Sequence, residues 1–191
     1  FSISTTMVPI EYEGAEGKIK INLLDTPGYF DFVGEVEEAV SAADAAIIVV
    51  NCKAGIEVGT EKAWDLCEEY KLPRIIFVTN MDDDHASFRE LILKLEKKFG
   101  RKIAPFQVPI RENEKFVGFV NAVKMQGRRF TNLSDYEDCE IPEYTKKNLG
   151  IIRDALIEAV AETSEEYMER YFSGEEFTQD EIYTAVQTHV C

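Results

Sequence analysis

The sequence has no long hydrophobic run and no cysteine framework. No stretch approaches the roughly 18 consecutive apolar residues that span a bilayer, and no secretory signal opens the chain. We therefore expect a cytoplasmic protein with no membrane partner. The 4 cysteines show neither C-x-x-C spacing nor a disulfide pattern, so Cys52 and Cys67 are expected to be small core residues in a reducing compartment. The two histidines, His85 and His189, have no sequence neighbours that suggest a metal site.

Basic residues are scarce relative to acidic ones. The chain has 21 Lys and Arg against 36 Asp and Glu, which gives a formal net charge of −15. An acidic surface repels phosphate backbones, so direct binding of nucleic acid is not expected. Apolar residues make up 45% of the 191, enough for a sizeable core in one elaborated domain or in two small ones.

The most informative segment is Asp25-Thr26-Pro27-Gly28, which follows the apolar stretch 18–24. A carboxylate at the end of a buried strand can hold a hydrated Mg²⁺. A glycine after it leaves its backbone N–H free to meet a γ-phosphate. The alternative interpretation is an ordinary strand-to-helix turn, since Pro and Gly occur in turns of every kind.

Strands and helices alternate along the first half of the chain. The apolar runs 45–50 and 74–79 are typical of parallel strands covered on both faces. Each is preceded by apolar residues at helical spacing, the first by Tyr29, Phe32, Val33, Val36, Val40 and Ala43, the second by Ala63, Leu66, Cys67 and Tyr70. This pattern predicts an α/β fold with an open, mostly parallel sheet. Asp25 and Thr79-Asn80-Met81-Asp82 then lie at the carboxyl ends of strands, where such sheets bind ligands.

A family resemblance is carried by two long stretches, INLLDTPGYFDFVGEVEEAVSAADAAIIVV and AGIEVGTEKAWDLCEEYKLPRIIFVTNMD. They resemble the GTPase domain of elongation factor G-like translational GTPases. The resemblance runs almost end to end, and EYMERYFSGEEFTQDEI matches the helical insertion of that family. It implies a P-loop NTPase-like fold, GTP or GDP with Mg²⁺ as ligands, and GTP hydrolysis on the ribosome. It also implies a contact between the insertion and a ribosomal stalk protein.

The family's glycine-rich phosphate loop, G-x-x-x-x-G-K-[ST], does not occur in this sequence. The first residues resemble the tail of the family's first switch, which places Ser2 at the position of the magnesium-binding Thr. We therefore expect a fragment, truncated at both ends, of a longer protein that is the GTPase. The fragment alone is expected to have little nucleotide affinity and no activity.

The resemblance also assigns site residues, with two departures from the family pattern. Asp25 would bind Mg²⁺ through water and Ser2 would be a second ligand. The nucleotide would contact Asp25, Thr26, Pro27, Gly28, Tyr29, Thr79, Asn80, Met81 and Asp82. Tyr29 stands where the family has a His that positions the attacking water, and a tyrosine cannot become an imidazolium. Its other interpretation is packing on the following helix.

The second departure lies in the motif N-K-x-D, which reads guanine. Asp82 keeps the acidic position, where a carboxylate accepts from guanine N1–H and from the 2-amino group that adenine lacks. Thr79 and Asn80 replace the Asn and the Lys. We therefore expect a preference for guanine in which fewer side chains support the base than in the family. We interpret Asp83 and Asp84 as solvated residues at a helix entry.

The organisation is predicted to divide near residue 110. Residues 1–110 would form a partial GTPase core without its phosphate loop, with a hairpin of residues 3–12 and 18–25 and a last strand over 104–109. Residues 111–191 would form the inserted subdomain. It would hold an antiparallel pair over 116–120 and 123–130, an acidic loop over 135–142, and three helices. The third helix would begin at a capping box from Thr178 to Glu181.

Two functions stay open. In the first, the parent hydrolyses GTP on the ribosome; in the second, it is a ribosome-binding module whose nucleotide site has decayed, with little or no turnover. The intact Asp25-Thr26-Pro27-Gly28 and Asp82 favour the first, whereas Tyr29, Thr79 and Asn80 favour the second. The three helices could likewise be a solvated decoration with no specific partner.

Overall fold

The structure, a computed structural model, describes residues 2–14, 17–83, 85–100, 103–113, 115–132 and 135–189. They form two compact units. One comprises the described residues of Phe1–Val50 and Glu57–Phe77, and the other those of Asn51–Ile56 and Val78–Val190. Residues 78–110 group with the elements that follow them, and the division that we expect near residue 110 stays a prediction. No helix in the described ranges is long and apolar enough to cross a membrane.

The first unit opens with a hairpin of β1 (Thr6–Gly14) and β2 (Gly17–Asp25). The strands pair antiparallel with Thr6 opposite Asp25, which confirms the predicted hairpin, although its first strand begins at Thr6 rather than at Ile3. The apolar side chains of this hairpin are between 38% and 62% exposed, at Met7, Val8, Ile10, Tyr12, Ile19, Ile21 and Leu23. A two-stranded hairpin with uncovered faces is only marginally stable by itself.

The hairpin is followed by a 3-10 turn (Phe30–Phe32), α1 (Val33–Ala42), β3 (Ala46–Asn51), α2 (Val58–Glu69) and β4 (Arg74–Thr79). The Ala46 N–H donates to the Pro73 carbonyl and the Cys52 N–H to the Thr79 carbonyl, both at 2.9 Å. From the first bond to the second, the residue numbers of the donor and of the acceptor rise together, so β3 and β4 run parallel. The predicted helices and strands are thus confirmed, but the expectation that β3 and β4 are covered on both faces is not, because Ile47, Val49, Ile75 and Phe77 are exposed. The described strands nevertheless form three small sheets, not one open sheet, because β2 is hydrogen-bonded only to β1 among them.

The buried face of α2 carries Trp64 and Cys67, and Val50 of β3 is also buried. The guanidinium of Arg74 stacks 3.9 Å from the centre of the Trp64 ring and forms an ion pair with Glu68. Burial of Cys67, at 2% exposure, confirms its prediction as a core residue.

The second unit contains an antiparallel sheet in the order β5-β6-β7-β8. Its strands are β5 (Gln107–Glu112), β6 (Lys115–Asn121), β7 (Gln126–Phe130) and β8 (Tyr136–Cys139). The β6–β7 pair confirms the predicted antiparallel strands. The strand that we placed at 104–109 in the core is instead β5, which pairs with β6.

The prediction of an acidic loop over 135–142 was wrong in part, because this segment contains β8. Opposite charges face each other across the β7–β8 ladder. Arg128 lies opposite Asp138 and Arg129 opposite Glu137, and Arg128 Nε is 3.8 Å from Asp138 Oδ1. Such cross-strand pairs stabilise a strand whose own residues are polar. Gly118 lets β6 approach β7, since a Cβ there would lie 2.1 Å from the Arg128 carbonyl oxygen.

Helices α3 (Phe88–Phe99), α4 (Glu143–Ala161), α5 (Glu165–Ser173) and α6 (Gln179–His189) complete this unit. The last three confirm the predicted helices. The core joins the sheet to these helices and includes Val108, Ile110, Val120, Ala122, Leu149, Leu156, Val160 and Ile182.

The predicted capping box of α6 is confirmed. Thr178 Oγ1 accepts from the Glu181 N–H at 3.3 Å, and Glu181 Oε2 accepts from the Thr178 N–H at 2.8 Å. Arg170 of α5 donates to Glu181 at 2.7 Å and lies 5.1 Å from the centre of the Phe177 ring. The hydrogen bond from Arg170, followed by that from the Thr178 N–H, lowers the pKa of Glu181 to about 2.

Candidate functional site

Asp25 is the last residue of β2, and its carboxylate is exposed. Because Thr6 pairs with Asp25, the residues that precede β1 lie beside the end of β2. The Ser2 hydroxyl donates to Asp25 Oδ2 at 3.2 Å. The structure therefore brings together the two residues predicted to hold Mg²⁺, and both offer the hard oxygen atoms that this ion prefers.

The donor set around Asp25 is small. Within the described ranges, no group of three or more His, Cys, Asp or Glu side chains could hold a metal ion. Mg²⁺ commonly keeps several waters and binds through one or two protein oxygens plus substrate phosphates. A carboxylate beside a hydroxyl fits that mode of binding.

A second contact ties the segment before β1 to α1. The Thr5 N–H donates to Glu35 Oε2 at 2.6 Å, and Thr5 Oγ1 donates to the Glu35 carbonyl at 3.1 Å. Ser2 therefore lies in a segment that is held at both ends. Sequence reasoning missed Glu35, because a glutamate in the first turn of a helix is too common to indicate a role.

In the turn after Asp25, Pro27 is buried and Gly28 is exposed. The φ of Gly28 does not lie in the left-handed region, and a Cβ added there would meet no atom within 4 Å. The local fold therefore does not require a glycine at this position. The space beside its backbone is open to a ligand.

Tyr29 is 54% exposed and has an extended backbone, with φ −87° and ψ 140°. Its carbonyl accepts from the Phe32 N–H at 3.0 Å, which starts the 3-10 turn. The next ring, Phe30, lies 4.4 Å from the Lys62 ammonium. Both interpretations of Tyr29, positioning of the attacking water and packing on the following helix, stay predictions.

The described residues 79–83 and 85–87, which we call the base loop, lead from the last residue of β4 to the N-cap of α3. Asp82 is exposed, whereas Met81 is buried at 8% exposure and anchors the loop. Asn80 has a φ of +55°, a left-handed conformation that Asn adopts more readily than most residues. Its Oδ1 accepts from Asn51 Nδ2 at 3.0 Å. The loop that carries the four predicted base-reading residues is therefore held by Met81 and Asn80, while the Asp82 carboxylate lies on the surface.

Asp83 corrects a prediction. We expected a solvated residue at a helix entry, but α3 begins at Phe88 after the N-cap Ser87. Asp83 instead accepts from the His85 N–H at 2.9 Å and pairs with Lys53 at 3.2 Å. The bond from His85, followed by that from Lys53, lowers the pKa of Asp83. Asp84 lies outside the described residues, as does the side chain of His189.

Cys52 is buried at 5% exposure beside this loop, and burial raises the pKa of its thiol. The prediction of a small core residue is confirmed. Sequence reasoning missed Asn51. The available signal was its position, because Asn51 follows the apolar run 45–50 directly, as Asn80 follows the run 74–79. Lys53 and Arg111, which also contact the base loop, gave no signal in the sequence.

Comparison with known proteins gives the class. Residues 1–184 match the elongation factor Tu GTP binding domain family. The chain belongs to this family of GTP-binding domains, whose fold is that of the P-loop GTPases.

Individual relatives are more specific. Over 181 residues the chain is 35% identical to the Elongation factor G-like protein of Thermotoga maritima, a match that covers 95% of this chain and 25% of that protein. A crystal structure of a protein from Thermus thermophilus matches with a TM-score of 0.88 and 34% identity, over 98% of this chain and 27% of that one. The resemblance to elongation factor G-like GTPases is confirmed. The chain spans about a quarter of the length of these relatives.

Proposed function

We propose that this chain supplies the magnesium-binding and guanine-reading parts of a translational GTPase that hydrolyses GTP on the ribosome. The observation that carries the proposal is the hydrogen bond between Ser2 and Asp25, the two predicted magnesium ligands, at 3.2 Å. The relatives are about four times as long as this chain, so the activity is proposed for a longer protein.

At the magnesium side, Asp25 would bind the ion through water and Ser2 would bind it through its hydroxyl. A bound Mg²⁺ would neutralise charge on the β- and γ-phosphate oxygens. The hydrogen bond from Ser2 to Asp25 orients the Ser2 oxygen, so that its lone pairs face away from the carboxylate. Thr26 and Pro27 would hold this turn in place, and the open space beside Gly28 supports donation from its N–H to the γ-phosphate.

Hydrolysis requires a water in line with the bond between the γ-phosphorus and the GDP oxygen. The new P–O bond forms to that water as the bond to GDP breaks. The GDP oxygen keeps the electron pair of the broken bond, and the water's proton passes to an oxygen of the transferred phosphate. The exposure of Tyr29 supports a role in which its hydroxyl hydrogen-bonds the water. Such positioning supplies orientation without a strong base.

At the base side, the Asp82 carboxylate would accept from guanine N1–H and from the 2-amino group. Its exposure and the anchoring of Met81 beside it support that role. Thr79 and Asn80 would support the base less than the family's Asn and Lys do. Guanine recognition would therefore depend mainly on one carboxylate.

The organisation of the longer protein is part of the same proposal. Residues 1–110 would belong to the GTPase core and 111–191 to an insertion, with β5 (Gln107–Glu112) crossing the boundary and pairing with the first strand of the insertion. Strands β1 to β4 would share one open, mostly parallel sheet. The exposure of Ile47 (60%) and Val49 (61%) of β3 supports covering elements that lie outside these residues. Exposed Ile151 of α4 and Phe172 of α5 support a protein partner for the insertion, such as the ribosomal stalk protein. A translational role would place the protein in the cytoplasm.

One observation favours the second function, a ribosome-binding module with a decayed nucleotide site. Asn80 stands where the family has a Lys whose long side chain covers the base. The Asn80 side chain instead accepts a hydrogen bond from Asn51. Nucleotide binding and single-turnover hydrolysis by the longer protein, with and without ribosomes, separate the two functions. Ribosome-stimulated release of phosphate supports the GTPase, whereas GTP binding without release supports the module. Absence of GTP binding contradicts the GTPase, and absence of ribosome binding contradicts both.

A further inference from the structure

Arg111 of β5 holds the base loop through three backbone carbonyls. Its Nη1 donates to the Met81 carbonyl at 3.1 Å and to the Ala86 carbonyl at 3.0 Å, and its Nη2 donates to the Asp83 carbonyl at 3.3 Å. The three acceptors stand on both sides of Asp82 in the sequence. Arg111 is half-buried, so these bonds are partly shielded from water.

The other side of the base loop is held by the segment after β3. The Cys52 N–H donates to the Thr79 carbonyl at 2.9 Å, and Lys53 pairs with Asp83 at 3.2 Å. Within the loop, the Ala86 N–H donates to the Asp83 carbonyl at 3.0 Å. The backbone around Asp82 is therefore fixed from two sides, while its carboxylate stays exposed.

We propose that Arg111 is a positioning residue for base recognition, which fixes the backbone on either side of Asp82 and thereby sets where the carboxylate meets the purine. This role rests on the proposed function. A guanidinium suits it, because its donors form a rigid planar fork that stays charged at all physiological pH values. A carboxylate that is ordered before the nucleotide arrives loses less conformational entropy on binding.

The role makes the sheet β5–β8 part of the nucleotide site through its first strand.

A structural arginine in the same unit offers a matched control. Arg153 of α4 also donates through Nη1 to two carbonyls, those of Ala122 at 2.6 Å and Val123 at 3.3 Å. Those carbonyls lie in the turn between β6 and β7, away in sequence from the base loop.

The test compares Arg111→Gln with Arg153→Gln by two measurements. The first is amide hydrogen exchange of the longer protein, in which Arg111→Gln should speed exchange at residues 81–83, 85 and 86 roughly tenfold and Arg153→Gln should not. The second is the affinity ratio of GTP to ITP in the longer protein, because inosine lacks the 2-amino group. Arg111→Gln should lower that ratio roughly fivefold to tenfold, and Arg153→Gln should leave it unchanged.

A third variant, Arg111→Lys, keeps the charge but offers a single ammonium in place of the fork. It should give a GTP-to-ITP affinity ratio between those of wild type and Arg111→Gln. A ratio equal to that of wild type would contradict the claim that the planar set of hydrogen bonds from Arg111 positions Asp82. An unchanged ratio in Arg111→Gln, or equal losses in Arg111→Gln and Arg153→Gln, would also overturn it. A wild-type protein that does not prefer GTP would instead contradict the proposed function, and the exchange measurement would still decide whether Arg111 orders the loop.

Discussion

Ser2 and Asp25, which are 23 residues apart in the sequence, meet through a hydrogen bond of 3.2 Å at the end of the β1–β2 hairpin. The hairpin register causes this meeting, because pairing of Thr6 with Asp25 returns the start of the chain to the end of β2. Backbone pairing thus brings together a hydroxyl and a carboxylate, and the contacts of Thr5 with Glu35 hold the segment that carries the hydroxyl.

The first prediction concerns these two residues. In the longer protein, Ser2→Ala should raise the Mg²⁺ concentration needed for half-maximal GTP binding roughly fivefold, and Asp25→Asn should raise it more. The reason is that each change removes an oxygen ligand or its charge, at about 1–3 kcal/mol. Magnesium titrations of GTP binding would measure the shift. Ser4→Ala is the matched control, since Ser4 is also an exposed serine before β1, and a shift as large in that variant would contradict the role of Ser2.

The second prediction concerns this chain alone. It should bind Mg²⁺-GTP weakly or not at all, because the family's phosphate loop supplies most of the charge-assisted contacts to the phosphates and its motif does not occur here. Calorimetry with the 191-residue chain is the direct measurement. Micromolar affinity would mean that other residues hold the phosphates.

The third prediction concerns Tyr29. In the longer protein, Tyr29→Phe should slow ribosome-stimulated hydrolysis by roughly tenfold with little effect on GTP binding, the scale of one transition-state hydrogen bond. Tyr29→His should speed hydrolysis, because an imidazole can hydrogen-bond the water and, when charged, stabilise the γ-phosphate. Phosphate release in single turnover measures both. Rapid turnover that ignores both substitutions would place the catalytic group elsewhere.

Most of the fold could be predicted because its elements carry strong local patterns. The runs that became β3 and β4 are continuous and apolar, and Thr178 with Glu181 form a capping box that needs only four residues to recognise. β8 could not be predicted in this way, because Tyr136–Cys139 is short and acidic and depends on Arg128 and Arg129 of a neighbouring strand. β5 was assigned to the wrong sheet, because an apolar strand does not specify its partner.

The candidate site shows the same limit. Asp25 and Asp82 could be proposed from the sequence, since each follows an apolar strand. Arg111 could not, because its three carbonyl acceptors lie 25 to 30 residues earlier and carbonyls leave no trace in side-chain patterns. Asp83 was misinterpreted because the start of α3 lies five residues further on than its acidic run suggested.

The fourth prediction concerns pH and the helical part of the second unit. The folded pKa of Glu181 is about 2, below its usual 4.5, so its charge contributes stability above pH 4.5 that is lost as the pH falls towards 2. Glu181→Gln should therefore lower the thermal midpoint at pH 7, and the difference from wild type should shrink between pH 4.5 and 2. Asp180→Asn is the control, because Asp180 lies in the same first turn of α6. A difference that is constant with pH would contradict the role of this charge.

The central claim, that Asp82 reads guanine, has the most direct test in a change of nucleotide preference. Xanthine carries a carbonyl oxygen at C2 where guanine has the 2-amino group, so a carboxylate favours guanine and an amide can donate to xanthine. In the longer protein, calorimetry should show that wild type prefers GTP to XTP and that Asp82→Asn prefers XTP, with GTP affinity lowered roughly tenfold or more. Asp65→Asn, a matched change at an exposed carboxylate of α2, should keep the preference for GTP. An unchanged preference in Asp82→Asn would contradict the claim and mean that the purine is read elsewhere.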